Sequence, residues 1–187
     1  MTRIQGLTLA VALLTMTFAA QAFEKASLKG KIVFASDRGG HWDIWKMNAD
    51  GSGLSQLTRD DNKDSDPKWS PDGKRILFSS LRKGFPRVFM MAEDGSNVKE
   101  IAEGSQADWS PDGTSILLVR DKQVYLRALD SGKERLVTPE MWERCGFPDV
   151  HPDGKRFVVS SRHLKIIGLF VLPLKGETAK PSQVPTN

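Results

Sequence analysis

Three stretches of the chain repeat one phrase: DPKWSPDGKRILFSS at 66–80, QADWSPDGTSILLVR at 106–120 and FPDVHPDGKRFVVSS at 147–161. Trp69 and Trp109 are 40 residues apart, and Ser110 and His151 are 41 apart. Self-similarity at such a period means stacked copies of one supersecondary unit, because a single unit buries too little apolar surface to stand alone. Within the phrase, Pro-Asp-Gly is turn chemistry. Pro presets φ at about −65°, Asp hydrogen-bonds its own backbone, and Gly accepts positive φ. The Ser beside the Asp therefore reads as part of a hairpin rather than as a catalytic pair.

Other phrases keep the same period. The second is ILFSSLR (76–82), ILLVRD (116–121) and FVVSSRH (157–163), with an earlier IVFASDR (32–38) that no Trp-Ser-Pro-Asp-Gly precedes. The third is WDIWKMNADGSG (42–53), PRVFMMAEDGSN (86–97), KQVYLRALDSGK (122–133) and IIGLFVLPLKGE (166–177). A short fourth follows as LSQLT (54–58), VKEIA (98–102), ERLVT (134–138) and a weaker SQVPT (182–186). These short runs of Val, Ile, Leu and aromatics, bounded by Gly, Pro, Asp and Asn, are strand signals, and none has a helical period. Each unit is expected to be a four-stranded antiparallel meander. In the third phrase, apolar Ile44, Val88, Val124 and Leu169 are followed by aromatic Trp45, Phe89, Tyr125 and Phe170. Adjacent strand residues face opposite sides, so these small sheets are apolar on both faces. Such sheets must be sandwiched between copies of themselves, which is the construction of a β-propeller.

The stretch FASDRGGHWDIWKMNADGSGLSQLT with DPKWSPDGKRILFSS resembles the TolB-type propeller repeat, a relative of the WD-repeat. The likeness covers nearly all of residues 31 to 175, loosening toward the fourth copy, where Val150-His151 replaces Trp-Ser. The resemblance implies an all-β propeller, and the four copies of the second and third phrases make about four blades, near 23–58, 66–102, 106–138 and 147–187. The TolB pattern itself has six blades and a separate N-terminal domain, so contacts made through that domain are not expected here. The blades close into a ring, form an open arc that pairs with another chain, or belong to a truncated propeller. Phe23–Ser27 stands where the first blade's inner strand should be, without the signature. Pro181 and Pro185 flank the last outer strand, where proline pairs poorly.

The opening MTRIQGLTLAVALLTMTFAAQA has the layout of a secretory signal peptide, with Arg3, an apolar run from Leu7 to Ala20, and the small-x-small site Ala20-Gln21-Ala22. Residues 1–22 are expected to be removed near Ala22, leaving residues 23–187 in the periplasm or secreted, without stable membrane insertion. Cys145 is the single cysteine, so no internal disulfide forms. The net charge of +4 is spread along the chain, unlike the concentrated basic stripe of a nucleic-acid binder.

Loops between second and third strands share a face with the interblade connections. That face carries Arg38, Arg82, Arg120 and Arg162, with the aromatics Trp42, Phe85 and Trp142 in or beside it. The arginines either dock a partner or pair with neighbouring acids to hold blades in register. Arg38, Trp42, Arg82, Phe85, Arg120 and Arg162 are the candidate partner-binding residues. The acidic loop around Asp60, Asn62 and Asp64 lacks the Gly and Glu that an EF-hand needs, with Ser65 and Pro71 in those places. His41, His151 and His163 lack metal-ligand spacing, and there is no Gly-x-Ser-x-Gly elbow. The expectation is therefore a non-catalytic scaffold without metal or cofactor. Its partner would be an envelope protein, with self-association open through the end blades. The alternative is a propeller enzyme or binding protein acting on envelope or extracellular polysaccharide.

Overall fold

The computed structural model describes residues 29–163, 166–174 and 182–183. The expected leader at 1–22 and inner strand at Phe23–Ser27 lie outside the described residues. The chain divides into two compact units, residues 1–32 with 46–55 and residues 33–45 with 56–187. In the first, the Ala49 amide donates to the Gly30 carbonyl at 3.0 Å. Asp50 Oδ1 accepts from the Ser52 amide at 2.9 Å and from its hydroxyl at 2.7 Å, which closes the Ala-Asp-Gly-Ser turn.

Every regular element described is a strand. Strands β1 (Lys31–Ser36), β2 (Asp43–Asn48) and β3 (Ser55–Gln56) make a three-stranded sheet in that order. The second sheet is β4 (Asp64–Trp69), β5 (Arg75–Ser80), β6 (Arg87–Ala92) and β7 (Lys99–Glu103). The third is β8 (Ser105–Trp109), β9 (Ser115–Arg120), β10 (Gln123–Ala128) and β11 (Glu134–Leu136). The fourth is β12 (Arg144–Val150), β13 (Arg156–His163), β14 (Ile166–Pro173) and β15 (Ser182–Gln183). Neighbours in these last three sheets are antiparallel and consecutive, so each is a meander. β15 pairs over two residues, Phe170 with Gln183 and Val171 with Ser182, between its two flanking prolines.

Within the second unit, strand alternation gives the second and third sheets two buried faces each. On the rear face of the second sheet, Ile76, Phe78, Phe89 and Met91 pack with Ile44 and Leu57 of the first repeat. Phe78 and Phe89 stack with centroids 5.6 Å apart. On its forward face, Leu77, Val88 and Ala102 meet Ala107, Trp109, Ile116 and Leu118 of the third sheet. The forward face of the third sheet, with Leu117, Val124 and Val137, meets Val150, Phe157, Val159, Phe170 and Leu172 of the fourth. Burying each such side chain contributes roughly 1.5–3 kcal/mol, so these three seams hold the stack.

The repeated turn closes by its own side chains. Ser70 Oγ donates to Asp72 Oδ1 at 2.5 Å and accepts from the Arg75 amide at 2.9 Å, while the Lys74 amide donates to Asp72 Oδ1 at 3.1 Å. Ser110 and Asp112 repeat the pattern. In the fourth sheet His151 stands in for serine: its Nδ1 accepts from the Asp153 amide at 3.2 Å, and the Lys155 amide donates to Asp153 Oδ1 at 2.8 Å. The hydroxyl bond from Ser70 holds the Asp72 carboxyl below the ordinary range, and the Lys155 amide does so for Asp153.

Two glycines separate turn chemistry from packing. Gly73, at φ +68°, has nothing within 4 Å of an added Cβ. Gly104 links β7 to β8 at φ +125°, and a Cβ there would lie 2.5 Å from the Val119 carbonyl oxygen. Gly73→Ala is expected to cost about 1–2 kcal/mol from left-handed strain alone. Gly104→Ala adds a clash that backbone cannot easily yield to, and is expected to cost clearly more. Urea unfolding of the two variants checks the order; equal losses would contradict it.

Candidate functional site

The inner strands β4, β8 and β12 each carry a register break, between Ser65 and Lys68, Ser105 and Asp108, and Gly146 and Asp149. At each break one non-glycine residue has positive φ: Asp66 (52°), Gln106 (52°) and Phe147 (51°). Each stands three positions before Trp69, Trp109 or Val150. Such strain, about 1–3 kcal/mol per residue, persists only where the surroundings over-determine the backbone.

Here the surroundings are bonds between sheets. The Gln106 amide donates to Ser79 Oγ of the second sheet at 3.0 Å, and Gln106 Oε1 accepts from the Phe147 amide of the fourth at 3.0 Å. Two further links run the same way. Trp109 Nε1 donates to the Lys68 carbonyl at 3.3 Å, and Asp108 Oδ2 accepts from the Val150 amide at 2.9 Å. Lys68 Nζ lies 3.6 Å from Asp108 Oδ1. Burial pushes the Asp108 carboxyl up despite the Val150 amide and Lys68, which pull it down.

Gln106 and Phe147 line a cavity of about 730 Å³ reached by the second, third and fourth sheets. Phe85, Phe147 and Ile167 give it exposed apolar surface, and Phe147 is 68% exposed. Lys122, Arg144 and Arg162 give it cations, against Glu103 and Asp121. Lys122 is fixed by a two-residue hairpin, Asp121-Lys122, with φ of 51° and 65°, the signature of a type I′ turn. Lys122 and Arg144 are exposed and make no ion pair among the described residues. Arg162 Nε is 3.5 Å from Glu143 Oε2, both exposed, a pairing worth little.

Of the six residues singled out in the sequence, Phe85, Arg120 and Arg162 line this cavity; Arg38, Trp42 and Arg82 do not. Arg120 is committed to Glu134 at 2.6 Å and lies 4.4 Å over the Tyr125 ring. Burial raises the Glu134 carboxyl, but hydrogen bonds from Arg120 and Arg127 outweigh it and leave a net lowering. Arg82 reaches Asp60 at 2.6 Å and Asp64 at 3.0 Å, and lies 4.5 Å over Phe89. Asp60 and Asp64, two of the three oxygen-bearing residues of the acidic loop, thus serve an arginine. Asp64 is wholly buried, and burial pushes its carboxyl up against Ser80, Thr58 and Arg82. Arg38 donates to Ser36 Oγ at 3.1 Å and lies over Phe34 and Trp45. Trp42 is half-exposed with Lys63 over its ring, whereas Trp142 is core, 4.7 Å from Phe170. Gln106, Phe147 and Arg144 escaped the sequence reading. Gln106 and Phe147 share with Asp66 only an offset of three from the Trp position, since the residue types Asp, Gln and Phe have nothing in common, and Arg144 carries no such signal.

Cys145 lines the cavity wall but is buried, its Sγ 3.6 Å from Ser161 Oγ. Burial pushes the thiol up, so it stays protonated at neutral pH. Among the described residues no three His, Cys, Asp or Glu gather as a metal site, and no helix is long and apolar enough to cross a membrane.

Meandering four-stranded sheets stacked face to face define a β-propeller protein. Residues 11–163 match the family described as TolB beta propeller domain, and the chain belongs to that family. A protein TolB homolog of Chlorobium luteolum is 31% identical over 149 residues, 76% of this chain and 34% of that protein. TolB from Acinetobacter baumannii superposes with a TM-score of 0.67 at 21% identity, over 83% of this chain and 44% of that one. An oligogalacturonate lyase in complex with manganese gives 0.55 at 15% identity, over 71% of this chain and 41% of that one. At these identities the solved structures share the fold alone. The chain spans about a third of the curated homolog's length and under half of each solved chain.

Asp108 generates a pH prediction. Its carboxyl is raised above the ordinary 3.8, so over that window the folded state holds a proton that the unfolded chain has released. The Asp108 contribution to stability therefore falls as pH rises through the window. Asp108→Asn keeps an acceptor for the Val150 amide and removes the titration. The variant is expected to melt close to wild type at about pH 4 and progressively higher above it. Melting curves that stay parallel across pH would contradict this.

Proposed function

We propose that this chain is a non-catalytic scaffold of the cell envelope that docks a protein partner in the cavity bounded by the second, third and fourth sheets. The observation that carries this reading is the lining: exposed Phe85 and Phe147 beside Lys122, Arg144 and Arg162. Aromatic and arginine side chains at the centre of a concave surface are the usual anchors of protein docking. The excess of cations selects an acidic, extended segment of that partner. A protonated Cys145 leaves the cavity without an activated thiol nucleophile. The signal-peptide layout of residues 1–22 supports a periplasmic or secreted location, and the TolB kinship supports an envelope role.

A photo-crosslinking residue at Phe147 and recovery from the source cells' envelope fraction test the reading. The expected result is a protein adduct that is lost in Arg144→Glu and Arg162→Glu, with melting temperatures close to wild type because both side chains are exposed. The same cationic lining would also suit an acidic polysaccharide. No protein adduct, together with polysaccharide-dependent stabilisation that the two variants abolish, would overturn the docking reading in favour of that one.

A further inference from the structure

The register of the fourth sheet puts two cations opposite each other. Arg144 of β12 and Arg162 of β13 are ladder partners, and Arg162 is in turn the partner of Ile167 in β14. Ladder partners share one face with Cβ atoms about 5 Å apart, and like charges so placed are destabilising. All three side chains are exposed and line the cavity. The fold does not demand this pair. The period that carries residues 66–82 onto 147–163 makes Lys63 and Leu81 the equivalents in the second repeat, one cation and one apolar residue. The next pair of the same ladder, Cys145 with Ser161, carries no charged side chain at neutral pH.

Little among the described residues offsets the repulsion. Arg144 has no ion pair there, and Arg162 Nε lies 3.5 Å from the exposed Glu143. A third cation is fixed beside them. The Lys122 carbonyl accepts from the Cys145 amide at 2.7 Å, which ties the Asp121-Lys122 turn to the residue next to Arg144. Of the two acids in the lining, Glu103 is already bonded to Arg87 at 2.9 Å, which leaves Asp121 against three cations. Phe147 and Ile167 supply apolar surface in the same lining, where displaced water strengthens a charge contact.

We infer that Arg144 and Arg162, with Lys122 beside them, hold one doubly charged anion: a phosphate-type group, or two carboxylates within about 5 Å of each other. Guanidinium forks bind such oxygens through paired, charge-assisted hydrogen bonds. The bound anion turns a repulsive pair into an attractive triad, so the arrangement is favourable only when it is occupied. The inference rests on the docking reading for its cavity, and it names the group of the partner that enters there.

Thermal melting of the purified chain in phosphate, succinate, acetate and chloride, at matched ionic strength and mildly alkaline pH, tests this. At least one of the two dianions is expected to raise the melting temperature saturably, on the order of 5 °C at about a hundred times its dissociation constant. Acetate and chloride are expected to leave it unchanged. A response to phosphate alone assigns a phosphate-type group, and a response to succinate assigns paired carboxylates such as an acidic chain end presents. Arg144→Gln and Arg162→Gln are each expected to weaken dianion binding at least about tenfold. Without a dianion, both variants are expected to melt no lower than wild type, because the repulsion is gone. Arg162→Leu, the residue type of the second repeat at this place, replaces Arg162→Gln if that variant unfolds. A wild type indifferent to both dianions, or one that answers acetate equally, overturns the inference. So do variants that keep the full response, or that melt well below wild type without a dianion. Dianion-dependent melting with no photo-adduct at Phe147 would sink the docking reading alone, and the adduct without that melting response would sink this inference alone.

Discussion

A sheet that is apolar on both faces has to be covered on both faces, and the rest of the structure follows from that constraint. Val88 and Phe89 are neighbours in one strand, yet both are buried, one against the third sheet and the other against the first repeat. A half-solvated antiparallel sheet would show polar residues at alternate positions. Stacking in series is the low-energy solution, and it leaves a terminal face wherever the series stops. On the fourth sheet Leu169 is 50% exposed where Val88 and Val124 are buried.

Stacking alone would let the sheets slide. Directional bonds along the inner strands prevent it. Asp108 accepts from the following sheet while Trp109 donates to the preceding one, so adjacent residues of one phrase hold both neighbours. Gln106 does the same two positions earlier, through its amide to Ser79 and its side chain to Phe147. The backbone at these bulges adopts left-handed φ to aim those groups. Two of these bulge residues, Gln106 and Phe147, line the cavity.

The arginines show why the basic loop residues had two readings in the sequence. Arg82 and Arg120 are held by carboxylates and lie over aromatic rings, so they brace their sheets. Arg162 and Arg144 project into the cavity wall with little to hold them. A linear sequence records only that an arginine follows the second strand. Whether it turns inward to a buried acid such as Asp64 depends on a strand that lies eighteen positions earlier in the chain.

The sequence by itself determined the period, the four-strand unit, the turn chemistry and the two-faced burial, because all four arise from local backbone preference and strand alternation. Even His151 for serine left the turn intact, since the backbone bonds from the Gly154 amide to the His151 carbonyl and from the His151 amide to the Arg156 carbonyl are kept. Only the tertiary structure decided which side chains share a cavity. Phe85, Lys122 and the β12 pair Arg144 and Phe147 come from three repeats and meet because stacking brings them to one side. It also decided which equivalent positions lie open, as Leu169 does and Val88 does not. The two residues have the same repeat position and strand geometry, and differ because a following sheet covers Val88 and no sheet among the described residues follows Leu169.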